Sequence, residues 1–276
     1  MTGLVLLLAA MPATATQVPA VEAVWLPEGR LYPEYVADVR RSASSASYLA
    51  VEESDVPDSG DRIFLLSLGG RFGLLRRQPA GDPERGLQLD IEAGFLGEFD
   101  ITESYDNVGW DGVYGLMASW RPRPRLALLL GVHHISAHVG DEYAERTGRE
   151  RLGYTREEAR AGVAWRARLQ LWLYAEAAWG YDLRQQDLQE PGRGQLGLAW
   201  DSAGEAAGTG WFAALDANAF EERDWEPGLS AAAGVRFRRV ERTWRLGLQV
   251  YDGPVPLGEL FLLDQRWIGV RLGVDL

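Results

Sequence analysis

The chain of 276 residues predicts an all-β fold, a transmembrane antiparallel β-barrel of about twelve strands with ten as the alternative. Three observations carry that expectation. Apolar and polar residues alternate with period two over segments of about ten residues or more, longer than the usual strand of a soluble sandwich. The polar face of these segments carries charges at mid-strand, Asp90, Glu92, Asp111 and Glu176, which suits a wet lumen rather than a soluble core. Tryptophans crowd the strand ends beside tight turns, at Trp120, Trp165, Trp172, Trp200, Trp211 and Trp244, as an interfacial girdle requires.

Composition narrows the chemistry. No cysteine is present, so disulfides, zinc–thiolate sites and thiol catalysis are excluded. The 28 basic residues are all arginine, and a net charge of -12 argues against nucleic acid as a partner.

Along the chain, GLVLLLAAM (3–11) is a short apolar run followed by Ala13-Thr14-Ala15, which reads as a signal peptide over residues 1–15. Residues 16–45 are expected to be a periplasmic N-terminal segment, and residues 46–276 the barrel. No stretch reaches the ~18 apolar residues of a helical span. SYLAVEE (47–53) is a weak first strand. In GLQLDIEAGF (86–95), Leu87, Leu89, Ile91, Ala93 and Phe95 share one face, and Gln88, Asp90 and Glu92 the other. The rhythm returns in VGWDGVYGLMASW (108–120), RLQLWLYAEAAWGY (168–181), GLSAAAGVRF (228–237), TWRLGLQV (243–250) and WIGVRLGVDL (267–276). Short connections at RPRPR (121–125), RAR (166–168) and RVER (239–242) fall on every second turn, which assigns them to the periplasmic side. Lumen-facing acids would favour cations if a narrow pore exists, unless an N-terminal segment such as VWLPEGRLYPEYVADVRR (24–41) fills it.

All three histidines lie in GVHHISAHVGDEY (131–143). The strand LALLLGVHHISAHV (126–139) climbs outward from a short turn, with Leu126, Leu128, Leu130 and Val132 facing lipid. Without a bulge the same row continues as His134, Ser136 and His138 near the external rim, whereas His133 faces the lumen. Polar groups on that face cost free energy, which calls for a reason. Residues two apart on a strand stand about 6.7 Å apart at their bases, close enough for leaning side chains to bond. Ser136 as nucleophile and His134 as general base meet that spacing. His134 and His138, about 13 Å apart on a straight strand, are too distant to share zinc. A polar patch of purely structural use is the competing reading.

An outward His134-Ile135-Ser136 on a barrel wall resembles outer-membrane phospholipase A and lipid A 3-O-deacylase, both serine hydrolases of lipid esters. Over roughly residues 25–276 the chain also resembles a family of bacterial envelope proteins with a segment H-x-S-S-H-x-G-D-E-Y, read here as HISAHVGDEY with Ala137 in place of the second serine. LYPEYVADVRR (31–41) resembles that family's N-terminal segment. The resemblance implies a bacterial outer-membrane location, outer-membrane lipids as partners, and hydrolysis of phospholipid or lipid A at the outer leaflet. A phospholipase-like orienting asparagine is missing, because none occurs between Asn107 and Asn218. The deacylase-like glutamate is available as Glu157 on the following strand, with Glu142 as the alternative. The phospholipase resemblance further implies calcium at the outer rim, for which Asp141 and Glu142 are the candidate ligands. The alternative function is a structural barrel or a narrow pore.

Overall fold

The computed structural model describes residues 20–184, 187–202, 208–239 and 242–275, so the expected signal peptide lies outside the described residues. Among the described residues thirteen strands run in chain order: β1 Val21–Trp25, β2 Ser44–Ser54, β3 Arg62–Pro79, β4 Gly86–Asp100, β5 Asp106–Arg123, β6 Leu126–Val139, β7 Thr155–Arg168, β8 Leu171–Leu183, β9 Gly192–Asp201, β10 Thr209–Phe220, β11 Pro227–Arg239, β12 Arg242–Pro254 and β13 Asp264–Asp275. Twelve of them, β2 to β13, form a closed antiparallel barrel in which each strand pairs with the next and β13 pairs with β2. β1 is the extra strand: it pairs with β3 from Val21↔Pro79 to Trp25↔Leu75, continuing the wall where β2 has ended. Among the described residues one α-helix, the short α1 (Asp141–Thr147), sits between β6 and β7. No helix among the described residues is long and apolar enough to cross a membrane, which says nothing of crossing by strands.

The alternation read from the sequence sorts by side of the wall. On β4, Leu87, Leu89 and Ile91 are exposed on the outside while Gln88, Asp90 and Glu92 are buried on the inside. An apolar exterior around a polar interior is the membrane-barrel pattern and the inverse of a soluble one. One of the girdle tryptophans departs from the expectation. Trp172 shares the inward row of Tyr174 and Glu176, and its ring lies beneath the guanidinium groups of Arg121 and Arg166 at 5.1 and 4.8 Å. Inward arginines at that end give the indole a cation–π partner that outweighs lipid contact.

The segment assigned to residues 16–45 divides. Residues 31–43 run inside the barrel, where Leu31, Tyr32, Tyr35, Val36 and Ala37 are buried against the inner wall. Wall side chains hold this plug by its backbone: Gln249 Nε2 donates to the Ala37 carbonyl at 2.8 Å and Ser67 Oγ to that of Ala43 at 2.8 Å. From the plug, the Tyr35 hydroxyl donates to Glu176 at 3.0 Å, and its ring stacks on Tyr174 at 4.1 Å. Burial and the charge of Glu176 hold the Tyr35 phenol well above its ordinary pKa, so it stays a donor at any physiological pH. Tyr35→Phe is expected to cost about 1.5–3 kcal/mol, the worth of a hydrogen bond to a charged group. An unchanged denaturant midpoint would contradict that.

The two ends of the barrel differ. At one end β5–β6 and β7–β8 are joined by two-residue turns. At the other, the connection between β12 and β13 folds over the mouth and buries Val255, Leu257 and Leu260 against Leu49, Val108 and Trp267. Close approach of strands fixes some glycines. At Gly69 (φ +139°) a Cβ would lie 2.2 Å from the Ala93 carbonyl oxygen of the paired strand. Gly69→Ala is therefore expected to destabilise the barrel by about 1–3 kcal/mol, a loss that urea titration would register.

Candidate active site

Strand parity places the histidine row. Leu130 and Val132 are exposed on the outer wall, and His134, Ser136 and His138 continue their row. Ala137 and His133 face inward; His133 Nδ1 lies 3.5 Å from Glu158 in the lumen, on the other side of the wall from Ser136. The antiparallel register then brings β5 and β7 to the row. His134 faces Tyr114 on β5 and Glu157 on β7, Ser136 faces Gly112 and Thr155, and His138 faces Trp110.

Side chains meet along these registers. His134 Nδ1 bonds Glu157 Oε1 closely, and the two side chains are only 15% and 31% exposed. His134 also stacks on the Tyr114 ring with centroids 4.4 Å apart. Ser136 Oγ bonds His138 Nε2 at 3.1 Å, and His138 stacks on Trp110 at 4.3 Å, which in turn stacks on Phe95 at 5.8 Å. Both imidazoles are thus held flat against aromatic rings, and Ser136 stands between them. A carboxylate on Nδ1 makes that nitrogen the donor and leaves Nε2 as the acceptor, the tautomer a general base needs.

The set expected from the sequence is therefore brought together, with one difference in its bonding. Glu157 pairs with His134 as expected, but the serine hydroxyl rests on His138 rather than on His134. Both histidines are two residues from Ser136 on one face, which puts each within the spacing at which leaning side chains can bond. Period two makes the two histidines equivalent in sequence, and that is why His138 was missed as a partner.

Glu142, the alternative orienter, and Asp141 lie in α1, in the connection beyond β6. Both are exposed, and Asp141 bonds Arg151. Among the described residues no group of three or more histidine, aspartate or glutamate side chains is placed to hold a metal ion. Two carboxylates, one of them taken by a guanidinium, fall well short of calcium's six to eight oxygens. The residues present do not fit that ion.

A closed twelve-strand barrel with an apolar outside and a polar, plugged inside has the architecture of outer-membrane β-barrel proteins. The chain belongs to the DUF1207 family, described as a protein of unknown function, whose model matches residues 8–275. No curated relative matches it in sequence. Among solved structures it is similar to outer membrane phospholipase A from Escherichia coli, with a TM-score of 0.58 and 10% identity over 85% of this chain and 93% of that one. The Salmonella typhi outer membrane phospholipase dimer with bound calcium gives 0.56 and 11% over 85% and 91%. LpxR from Salmonella typhimurium gives 0.41 and 10% over 84% and 100%. At these identities the phospholipase likeness speaks for the fold alone, and the LpxR likeness is too low to add to it.

Proposed function

We propose that the protein is an outer-membrane barrel that hydrolyses lipid esters, phospholipid or lipid A, at the outer leaflet, with Ser136 as nucleophile, His134 as general base and Glu157 as its orienter. The observation that carries this reading is the bond from Glu157 to His134 Nδ1 on the outer wall, which sets the tautomer of a base beside an outward serine. In the first step the Ser136 Oγ–H proton passes to His134 Nε2 as Oγ attacks the ester carbonyl. Collapse of the tetrahedral intermediate breaks the bond to the alcohol, which leaves with that proton. Water, deprotonated by the same imidazole, then attacks the acyl-serine carbonyl, and the imidazolium returns the proton to Ser136 Oγ as the bond to it breaks and the fatty acid leaves. His138 holds the hydroxyl in the resting arrangement.

The outward position selects the substrate class, since only a molecule diffusing in the plane of the membrane meets this face. A lumen filled by residues 31–43 and crossed by buried ion pairs speaks against the conducting-pore alternative. The decisive assay reconstitutes the full chain in vesicles with labelled phospholipid, and separately with labelled lipid A, and follows fatty-acid release. Release from either supports the reading. A folded barrel that releases nothing from both overturns it and leaves the outward row as structure.

His134 and His138 are separable in the same assay. His134→Phe keeps the stacking on Tyr114 but removes the base, and a loss as large as that of the serine variant is expected. His138→Phe is expected to retain activity within about tenfold, because a general base alone contributes ~10²–10⁴-fold and His138 is not that base. The reverse order of effects would transfer the base role to His138.

A further inference from the structure

Exposed charges are sorted between the two ends of the barrel. At the long-loop end carboxylates dominate, and the arginines among them are mostly ion-paired: Arg266 with Glu53 and Asp252, Arg146 with Asp106, Arg223 with Asp264. At the short-turn end the balance inverts among the described residues. Arg77, Arg123, Arg125, Arg168, Arg239 and Arg242 are exposed around the rim on β3, β5, β7, β11, β12 and the turn after β5, and the exposed acids described there are chiefly Glu22, Glu28 and Glu84. None of the six guanidinium groups has an ion-pair partner among the described residues. In a chain of net charge -12, an unpaired arginine ring at one end is a local inversion of the overall field.

The ring borders the apolar band in a set order. Exposed Trp120 and Trp165 precede Arg123 and Arg168 by three residues on their strands, and exposed Trp211 stands at the same end of β10. Three residues of strand span about 10 Å. An indole at the boundary of the acyl chains therefore places a guanidinium at the depth of the phosphates, where its planar fork pairs with them in bidentate fashion.

We infer that the short-turn rim is a binding surface for anionic phospholipid headgroups of the adjoining leaflet, with the six arginines supplying the charge and the tryptophans the depth. The long-loop rim, rich in carboxylates, repels the same headgroups, so the charge pattern also favours one orientation of the barrel in an asymmetric bilayer. This rests on the membrane reading above but not on hydrolysis.

The test uses the tryptophans of the rim as reporters. The full-length barrel is reconstituted in phosphatidylcholine vesicles, and fluorescence quenching by brominated phosphatidylglycerol is compared with quenching by brominated phosphatidylcholine. A preference for the anionic lipid of about fivefold or more is expected, the factor one guanidinium beside an anionic surface contributes. It should fall towards unity at about 0.5 M salt. Changing all six arginines, Arg77, Arg123, Arg125, Arg168, Arg239 and Arg242, together to Gln should abolish the preference, and Lys at the same positions should retain most of it. Equal quenching by the two lipids at low salt overturns the inference, as does a preference indifferent to both salt and the Gln changes. Capture of a soluble anionic cell-wall polymer by these arginines without lipid preference would assign the rim to that polymer instead. A barrel that never enters vesicles sinks the membrane reading itself, a separate and visible outcome. The salt series needs no variant, so a Gln variant that fails to fold does not block the test.

Discussion

Ser136→Ala is expected to lower fatty-acid release by about 10³-fold or more, with the barrel intact. The side chain is partly exposed on the outer wall, and what it loses is one hydrogen bond, to His138 at 3.1 Å. Exposed substitutions of this kind stay within about 0.5 kcal/mol of the parent in stability. A large fall in rate would then report chemistry rather than folding, and a gel shift between heated and unheated samples would confirm the intact barrel. The magnitude follows from the role. Without the nucleophile, only binding and any charge stabilisation of the intermediate remain, worth about 10³–10⁴ over water in serine hydrolases. Glu157→Gln should lie between the parent and Ser136→Ala, because glutamine can donate to Nδ1 and so favour the wrong tautomer without removing either reacting group. Equal release by parent and Ser136→Ala would mean that any activity arises elsewhere.

How much of this was legible in the sequence depends on the range of the interaction. Strand identity and facing were readable because alternation is local: Leu87 out and Gln88 in, Val132 out and His133 in, follow from parity alone. The pairing of His134 with Glu157 was within reach because the β6–β7 register preserves facing, so a glutamate on the outer row of the next strand had to come near the histidines. The stacking of Trp110 and Tyr114 on the imidazoles was not readable. It depends on the register of β5 against β6, which shifts between Trp120 and Arg123 beside the turn that would have to predict it. Charges of the lumen were visible as mid-strand acids, but their partners were not, since Arg160 reaches Glu92 across 68 residues and Tyr35 reaches Glu176 across 141. No periodicity encodes contacts of that separation. Trp172 is a different case: its parity with Tyr174 and Glu176 was readable and points inward, but its position near a turn suggested the girdle, and only its arginine partners lay beyond the local pattern.

Those distant contacts converge on Glu176, and Glu176→Leu is expected to destabilise the barrel by about 3–5 kcal/mol. Its carboxylate accepts from Arg160 Nε and Nη2 at 3.0 Å each, from Arg193 Nη2 at 2.8 Å and from the Tyr35 hydroxyl at 3.0 Å. In this part of the lumen Arg160 and Arg193 are held by Glu92, Glu158 and Glu176, and Arg156 by Glu158 and Glu222. Removing one acid leaves a buried excess positive charge, which costs far more than the net worth of any pair it belonged to. Two effects moderate the loss: Arg160 keeps Glu92 at 3.2 Å, and Arg193 keeps Glu158 at 2.7 Å. The value should therefore sit near the lower limit of that range. Glu176→Gln separates charge from shape, since it keeps an acceptor for Tyr35 yet still removes the balancing charge. If Coulombic balance dominates, the glutamine variant falls nearly as far as leucine in the urea midpoint. If the hydrogen bonds dominate, it recovers most of the loss. A leucine variant as stable as the parent would show that water or a counter-ion reaches the lumen and that the plug does not seal it, and the filled-barrel argument against a pore would go with it.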